Sequence, residues 1–124
     1  MVMCGCVATG NARSAQVYAG DSLPKRDTGI QLIRRGTSIQ LTNTSATSFG
    51  TGTIWLNGAF GHPIDGFSIG QTIKLSLHNF RNAFGERFRA GGFFATERPE
   101  PVVMAELQDG DEMLRLIVVE DQVR

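Results

Sequence analysis

Two histidines and a group of acids near the end of the sequence are the residues whose chemistry is most easily recognised. Neither His62 nor His78 has a second ligand at the spacing of a metal motif, so both are predicted to be structural or solvent-facing. Asp109, Asp111 and Glu112 lack the spacing of a calcium loop, and the Asp-Gly pair among them is typical of a hairpin turn. The sequence also lacks a nucleophile elbow and a phosphate-binding loop. It therefore predicts no catalytic residue, no metal and no cofactor.

The two cysteines, Cys4 and Cys6, lie two residues apart near the start of the sequence. Zinc normally takes four ligands, and a redox motif has two residues between its cysteines, so neither chemistry fits this pair. A disulfide across such a short separation would be strained. The pair is therefore interpreted from its position.

Met3-Cys4-Gly5-Cys6 resembles the end of a bacterial lipoprotein signal, in which a small residue precedes the cysteine that is acylated. The resemblance implies a lipid anchor at Cys6, with the charged and apolar parts of the signal upstream of Met1. A single acyl chain gives only marginal membrane binding, so a second contact would be needed. The alternative is a disordered N-terminus with two incidental thiols.

Phenylalanines and arginines are interleaved between residues 80 and 98. Aromatic rings bury large areas, arginine forks pair with carboxylates or phosphates, and both residue types are enriched at interface hot spots. Neighbouring side chains of an extended backbone point to opposite faces, so one of Phe93 and Phe94 should face away from the core. The alternative places the rings in the core. The predicted partner-binding surface consists of Phe80, Arg81, Phe84, Arg87, Phe88, Arg89, Phe93 and Phe94.

Trp55, the only tryptophan, lies in a predicted strand and has two interpretations. It can anchor the core, or it can bind a small ligand or carbohydrate together with a neighbouring aromatic residue such as Phe60. Stacking on a sugar would require an exposed ring.

The elements that would position these residues are mostly strands. Apolar and polar residues alternate in several short runs, which is typical of half-buried strands. With 124 residues, 41% of them hydrophobic, and 15 glycines, the chain fits one β-rich domain, a sandwich or small barrel. Phe80, Phe84 and Phe88 recur every four residues, which predicts one short helical insertion near residues 79–85. Residues 1–29 are predicted to be a flexible N-terminal arm, and residues 30–124 the domain.

Two segments resemble extracytoplasmic bacterial Ig-like sandwiches such as the FxLYD-like domains. Leu41-Thr42-Asn43-Thr44-Ser45 is similar to a strand that ends in a T-N-x-S turn. Residues 67–75 are similar to a later segment, although Gly70 here follows Ile69 without the usual proline. Residues 55–57 and 80–88 also look like parts of a family of uncharacterised bacterial envelope proteins. Over residues 37–95, the resemblance implies an extracytoplasmic accessory domain and carries over no catalytic residue. Together with the about seven strands that alternation and turns predict along the chain, it favours an all-β, Ig-like antiparallel β-sandwich.

Neither the net charge nor the apolar runs of the sequence indicate a nucleic-acid-binding protein or a membrane-spanning helix. The formal net charge is zero, which argues against a nucleic-acid-binding protein. No apolar run approaches the length of a membrane-spanning helix. The missing catalytic signature, the N-terminal arm with Cys6 and the β-rich pattern favour a non-enzymatic interaction or structural module. The resemblance implies that this module lies in the periplasm or cell envelope. It would be membrane-associated and an accessory subunit that docks on a larger protein or membrane complex. The alternative function is a small-ligand- or carbohydrate-binding domain.

Overall fold

The computed structural model describes residues 17–92 and 98–119. Within these ranges the regular structure consists of strands and two short 3-10 turns, Gly20–Ser22 and Leu77–Asn79. The predicted all-β class is confirmed. The strands are β1 (Lys25–Arg35), β2 (Ser38–Thr42), β3 (Gly52–Leu56), β4 (Phe60–Ile64), β5 (Thr72–Ser76), β6 (Ala105–Asp109) and β7 (Glu112–Val119).

All seven strands belong to one curled sheet, a half-barrel, in the order β4-β3-β6-β7-β1-β2-β5. Strands β1 and β7 are parallel, and the other neighbouring pairs are antiparallel. The predicted antiparallel sandwich is not confirmed. Strand β1 is 11 residues long and pairs with β7 along one edge and with β2 along the other. The two halves of the sheet are therefore joined rather than stacked.

Glycines with positive φ connect the hairpins. Gly36, with φ 64°, turns the chain between β1 and β2, and Gly110, with φ 62°, turns it between β6 and β7. The second of these is the turn predicted from the Asp-Gly pair. Tight two-residue turns require this left-handed backbone, which glycine adopts without a steric cost.

The main core lies on one face of the sheet, which we call the inner face. Ile30, Leu32, Ile39 and Leu41 alternate with polar residues along β1 and β2, and all four are buried. Aromatic residues from the connecting segments join the same cluster: Phe49, Phe67, Phe80 and Phe88. Loop aromatics thus cover the inner face that a second sheet would cover in a sandwich.

The prediction of a helix near residues 79–85 is wrong. The 3-10 turn ends at Asn79, and the chain then makes a hairpin in which the amide of Phe88 donates to the carbonyl of Phe80 at 3.0 Å. A spacing of four residues fits one face of a helix, but it also fits two stem positions and the tip of a short hairpin. None of the described helical segments has the length and apolar character needed to cross a membrane.

The boundary between arm and domain also differs from the prediction. The sequence places residues 25–29 in the predicted arm, but they form the first half of β1. The register of β1 on β7 places Lys25 opposite Met113 and Arg26 opposite Leu114. Strand β7 pairs with the backbone N–H and C=O groups of this polar stretch. The stretch can therefore form a strand although its side chains do not alternate between apolar and polar.

Candidate functional site

Residues 80–88 form a hairpin, named here the Phe84 hairpin, that continues the sheet beyond its edge strand β4. The amide of Gly61 in β4 donates to the carbonyl of Arg81 at 2.8 Å, and the amide of Arg81 donates back at 3.2 Å. Arg81 also forms an antiparallel bridge with Arg87. The hairpin is therefore fixed to the sheet at its base.

The turn of the hairpin is organised by Asn82. Its Oδ1 accepts hydrogen bonds from the amides of Phe84 and Glu86, each at 2.9 Å. Its Nδ2 donates to Glu86 Oε1 at 2.8 Å, and its carbonyl accepts from the amide of Gly85 at 3.0 Å. Asparagine commonly stabilises turns in this way. These bonds hold the backbone on both sides of Phe84.

The three phenylalanines of the hairpin occupy opposite environments. Phe84 at the tip is 87% exposed, whereas Phe80 and Phe88 in the stems are 0% and 1% exposed. The Phe88 ring meets Phe60 edge-on at 5.2 Å, and the Phe80 ring lies 5.3 Å from His62. The buried stems therefore anchor an exposed aromatic tip.

Charged side chains flank this tip. Arg81 is partly exposed and donates through Nη1 to the carbonyl of Gly85 at 3.2 Å. Arg87 and Glu86 are exposed. The exposed surface of the hairpin therefore combines one apolar ring with two arginines and a carboxylate.

The structure separates the residues of the predicted partner-binding surface. Phe84, Arg81 and Arg87 lie together on the hairpin, and Arg89 is exposed just beyond it. As a correction, Phe80 and Phe88 belong to the core and present no surface to a partner, because their stem positions face the inner side of the sheet. Phe93 and Phe94 lie outside the described residues, as does the predicted anchor at Cys6.

Trp55 and Phe60 do not form the predicted ligand platform. Phe60 packs against the core on the inner face, whereas Trp55 lies between the core residues Ile54 and Leu56 and points to the outer face. Trp55 is 2% exposed, and the Tyr18 ring meets it edge-on at 5.5 Å. The indole offers no open face for stacking on a sugar.

A buried polar cluster, which the sequence does not predict, lies on the outer face and consists of Tyr18, Lys25 and Glu106. Glu106 in β6 is 1% exposed, and its Oε1 accepts a hydrogen bond from the hydroxyl of Tyr18. Its Oε2 lies 2.9 Å from Lys25 Nζ, which also donates to the Tyr18 hydroxyl at 3.2 Å. Tyr18 and Glu106 are 88 positions apart, so no local pattern signals the contact.

The environment of this cluster shifts two pKa values upward. Burial, followed by the hydrogen bond to Glu106, raises the pKa of Tyr18 above its ordinary value. The Glu106 carboxylate, followed by the Tyr18 hydroxyl, raises the pKa of Lys25. Because the three groups are directed at one another, the cluster holds residues 17–24 against the sheet, and we assign it no reaction.

The acids near Gly110 make ordinary surface contacts. Arg26 donates to Glu112 through Nε at 2.8 Å, and this hydrogen bond lowers the pKa of Glu112. Within residues 17–92 and 98–119, no three histidines, cysteines or acids are grouped so that they could hold a metal ion. Comparison with protein families, curated proteins and solved structures gives no match to this chain.

Proposed function

We propose that this domain is a non-enzymatic interaction module that docks on a larger protein or membrane complex through the Phe84 hairpin. The observation that most supports the proposal is the 87% exposure of Phe84 on a turn whose backbone is fixed by Asn82. Single exposed apolar residues are common on protein surfaces. An aromatic ring on a fixed hairpin differs from these, because little backbone entropy remains to be lost on binding.

The chemistry of the hairpin defines the partner surface that would fit it. Phe84 would enter an apolar pocket, and Arg81 and Arg87 would pair with acidic groups on its rim. Burial of an aromatic anchor supplies most of the affinity in such interfaces, while charges at the rim mainly affect specificity and the association rate. The expected partner is a protein with an acidic rim around an apolar pocket.

The test is affinity co-purification from membranes of the native host in mild detergent, comparing the wild-type protein with Phe84→Ser. Loss of an aromatic anchor costs about 2 kcal/mol or more, which raises the Kd roughly 30-fold, so less of the partner should be recovered. Ile69→Ser is the matched control, because Ile69 is also an apolar turn residue and is 57% exposed. Equal recovery with Phe84→Ser and the wild type would contradict docking through the hairpin.

The location in the cell is a second part of the proposal. The resemblance to extracytoplasmic Ig-like domains supports a site in the periplasm or cell envelope, and the Met3-Cys4-Gly5-Cys6 motif supports an acyl anchor at Cys6. The expected intact mass of the membrane-derived protein includes the acyl chains, and Cys6→Ser should move the protein to the soluble fraction. An unmodified protein recovered from the soluble fraction would remove the anchor from the proposal.

A further inference from the structure

A depression with a volume of about 410 Å³ lies on the outer face of the sheet, over β1 and β2. The core residues of the two strands point away from it to the inner face. Cavities that bind small molecules have volumes of roughly 300–1,000 Å³. The residues that line the depression are Gly29, Gln31, Ile33, Gln40, Thr42 and Thr44.

The depression coincides with a β-bulge. The pairing of β1 with β7 shifts register between Asp27 and Gln31, and Gly29 between them has φ 79°. Thr28 stabilises the bulge, because its Oγ1 accepts from the amide of Ile30 at 3.1 Å and donates to the carbonyl of Arg115 at 2.9 Å. Bulges bend a strand and increase its twist. A Cβ at Gly29 would meet no atom within 4 Å, so the space beside this residue is open.

The lining of the depression is neutral and contains hydrogen-bonding groups that are not used by the fold. Within the part of the chain that the structure describes, the side-chain amides of Gln31 and Gln40 form no hydrogen bond. Thr42 Oγ1 is 2.7 Å from Thr72 Oγ1, so this hydroxyl is already paired. Ile33 contributes an apolar, half-buried surface between the polar groups.

These groups favour a neutral ligand that carries amide and hydroxyl groups. A glutamine amide has a carbonyl acceptor and an NH₂ donor, which match the N–H and C=O of a ligand amide. An acetamido group also carries a methyl group that could contact Ile33, and ring hydroxyls could pair with the second glutamine and Thr44. We propose that this depression is a binding site for a neutral acetamido sugar. The proposal uses no residue of the Phe84 hairpin and is independent of the function proposed above.

The test is an NMR titration of the ¹⁵N-labelled protein with N,N′-diacetylchitobiose. The expected amide shifts lie in β1 and β2 and the residues that follow them, between 29 and 44. Gln31→Ala and Gln40→Ala are tested separately. Each should raise the Kd for the sugar roughly five-fold, because each removes the net contribution of one hydrogen bond. Lys74→Ala is the matched control, because Lys74 is the β5 partner of Gln40 outside the lining. The Kd of the Lys74→Ala variant for the neutral sugar should equal that of the wild type, because Lys74 does not line the depression.

Two further probes separate the proposed ligand from related chemistry. Cellobiose has the hydroxyl groups without the acetamido groups and should bind more weakly than N,N′-diacetylchitobiose. N-acetylalanine methylamide has the amide groups without the sugar and should also bind more weakly. Absent shifts with the acetamido sugar, shifts outside residues 29–44, or tighter binding of either probe would overturn the proposal.

Discussion

At the residue scale, the Phe84 hairpin offers a direct comparison of one side-chain type in two environments. Phe88 is 1% exposed and contacts Phe60, whereas Phe84, four positions away, is 87% exposed. Phe88→Ala should lower the free energy of unfolding by about 3–5 kcal/mol, because it removes buried area and leaves a cavity. Phe84→Ala should change it by less than about 0.5 kcal/mol. Urea denaturation followed by the fluorescence of Trp55 measures both.

Phe88→Leu is the control for this comparison, because leucine refills part of the cavity and should lose less stability than alanine. A large loss of stability with Phe84→Ala would contradict its role as an exposed tip. It would show instead that the ring packs against another part of the chain. Stability unchanged by Phe84→Ala would also make a loss of partner in the Phe84→Ser experiment interpretable as a surface effect.

At the scale of elements, local alternation predicted the strands that bury only one face. β2 and β5 follow the pattern closely, and their observed bounds match the runs of apolar and polar residues. The Asp-Gly turn before β7 was also predictable, because its backbone requirement is local. Pairing between distant strands was not predictable, since the parallel contact of β1 with β7 depends on residues about 85–90 positions apart.

The hairpin shows why the site was predicted only in part. The four-residue spacing of Phe80, Phe84 and Phe88 predicts a helix, but it also fits a hairpin whose two stem residues face the core and whose tip is exposed. The composition of residues 80–98 indicated an interface, but it could not separate Phe84 from Phe80 and Phe88. That separation depends on Asn82, whose hydrogen bonds to Phe84 and Glu86 select the turn. The outer-face depression had no sequence signal, because its bulge arises from the pairing of two strands.

Arg34 connects three elements of the fold and provides a prediction at this scale. It is 7% exposed, and its guanidinium donates to the carbonyls of Gly36, Ala90 and Glu100 at 3.0, 3.1 and 2.6 Å. Arg34→Lys should loosen the segments around residues 90 and 100, because one ammonium cannot reproduce the fork of donors. Hydrogen exchange of the Glu100 amide, which donates to the carbonyl of Arg89 at 2.7 Å, should become faster.

Arg35→Lys is the matched control for this exchange measurement. Arg35 is the next residue of β1, and it is exposed. Its replacement should leave the exchange of the Glu100 amide unchanged. If Arg34→Lys also leaves that exchange unchanged, the carbonyl contacts do not hold the segment in place.

At the scale of the whole molecule, the segment of residues 17–24 covers part of the outer face that the core does not use. Trp55 and Met113 are buried outside the main core cluster, and the amide of Met113 donates to the carbonyl of Pro24 at 2.9 Å. Gly61 lies directly beside the indole, where a Cβ would come within 2.8 Å of a Trp55 ring atom. The sheet therefore has cores on both faces, and the Tyr18, Lys25 and Glu106 cluster holds the outer one closed.

This arrangement predicts a loss of stability at alkaline pH. The pKa values of Tyr18 and Lys25 are raised above their ordinary values of 10.0 and 10.5, so the folded state holds both protons more tightly than the unfolded state. The contribution of the cluster is complete below about pH 10 and is lost as the pH rises through the folded pKa values. Because Tyr18 is the only tyrosine, the ultraviolet absorbance of tyrosinate reports its titration alone.

The expected midpoint of this titration lies above 10.0 in the folded protein and returns toward that value in concentrated urea. Glu106→Gln should lower the folded midpoint only in part, because burial is the larger cause of the shift and the carboxylate is the second. Arg26→Gln is the control, because Arg26 pairs with Glu112 in the same region, and this variant should leave the titration of Tyr18 unchanged.

Acrylamide quenching of Trp55 fluorescence should increase over the same pH range, as the tyrosine ionises. Quenching that stays constant while Tyr18 titrates would show that the outer core is held closed by packing rather than by the cluster.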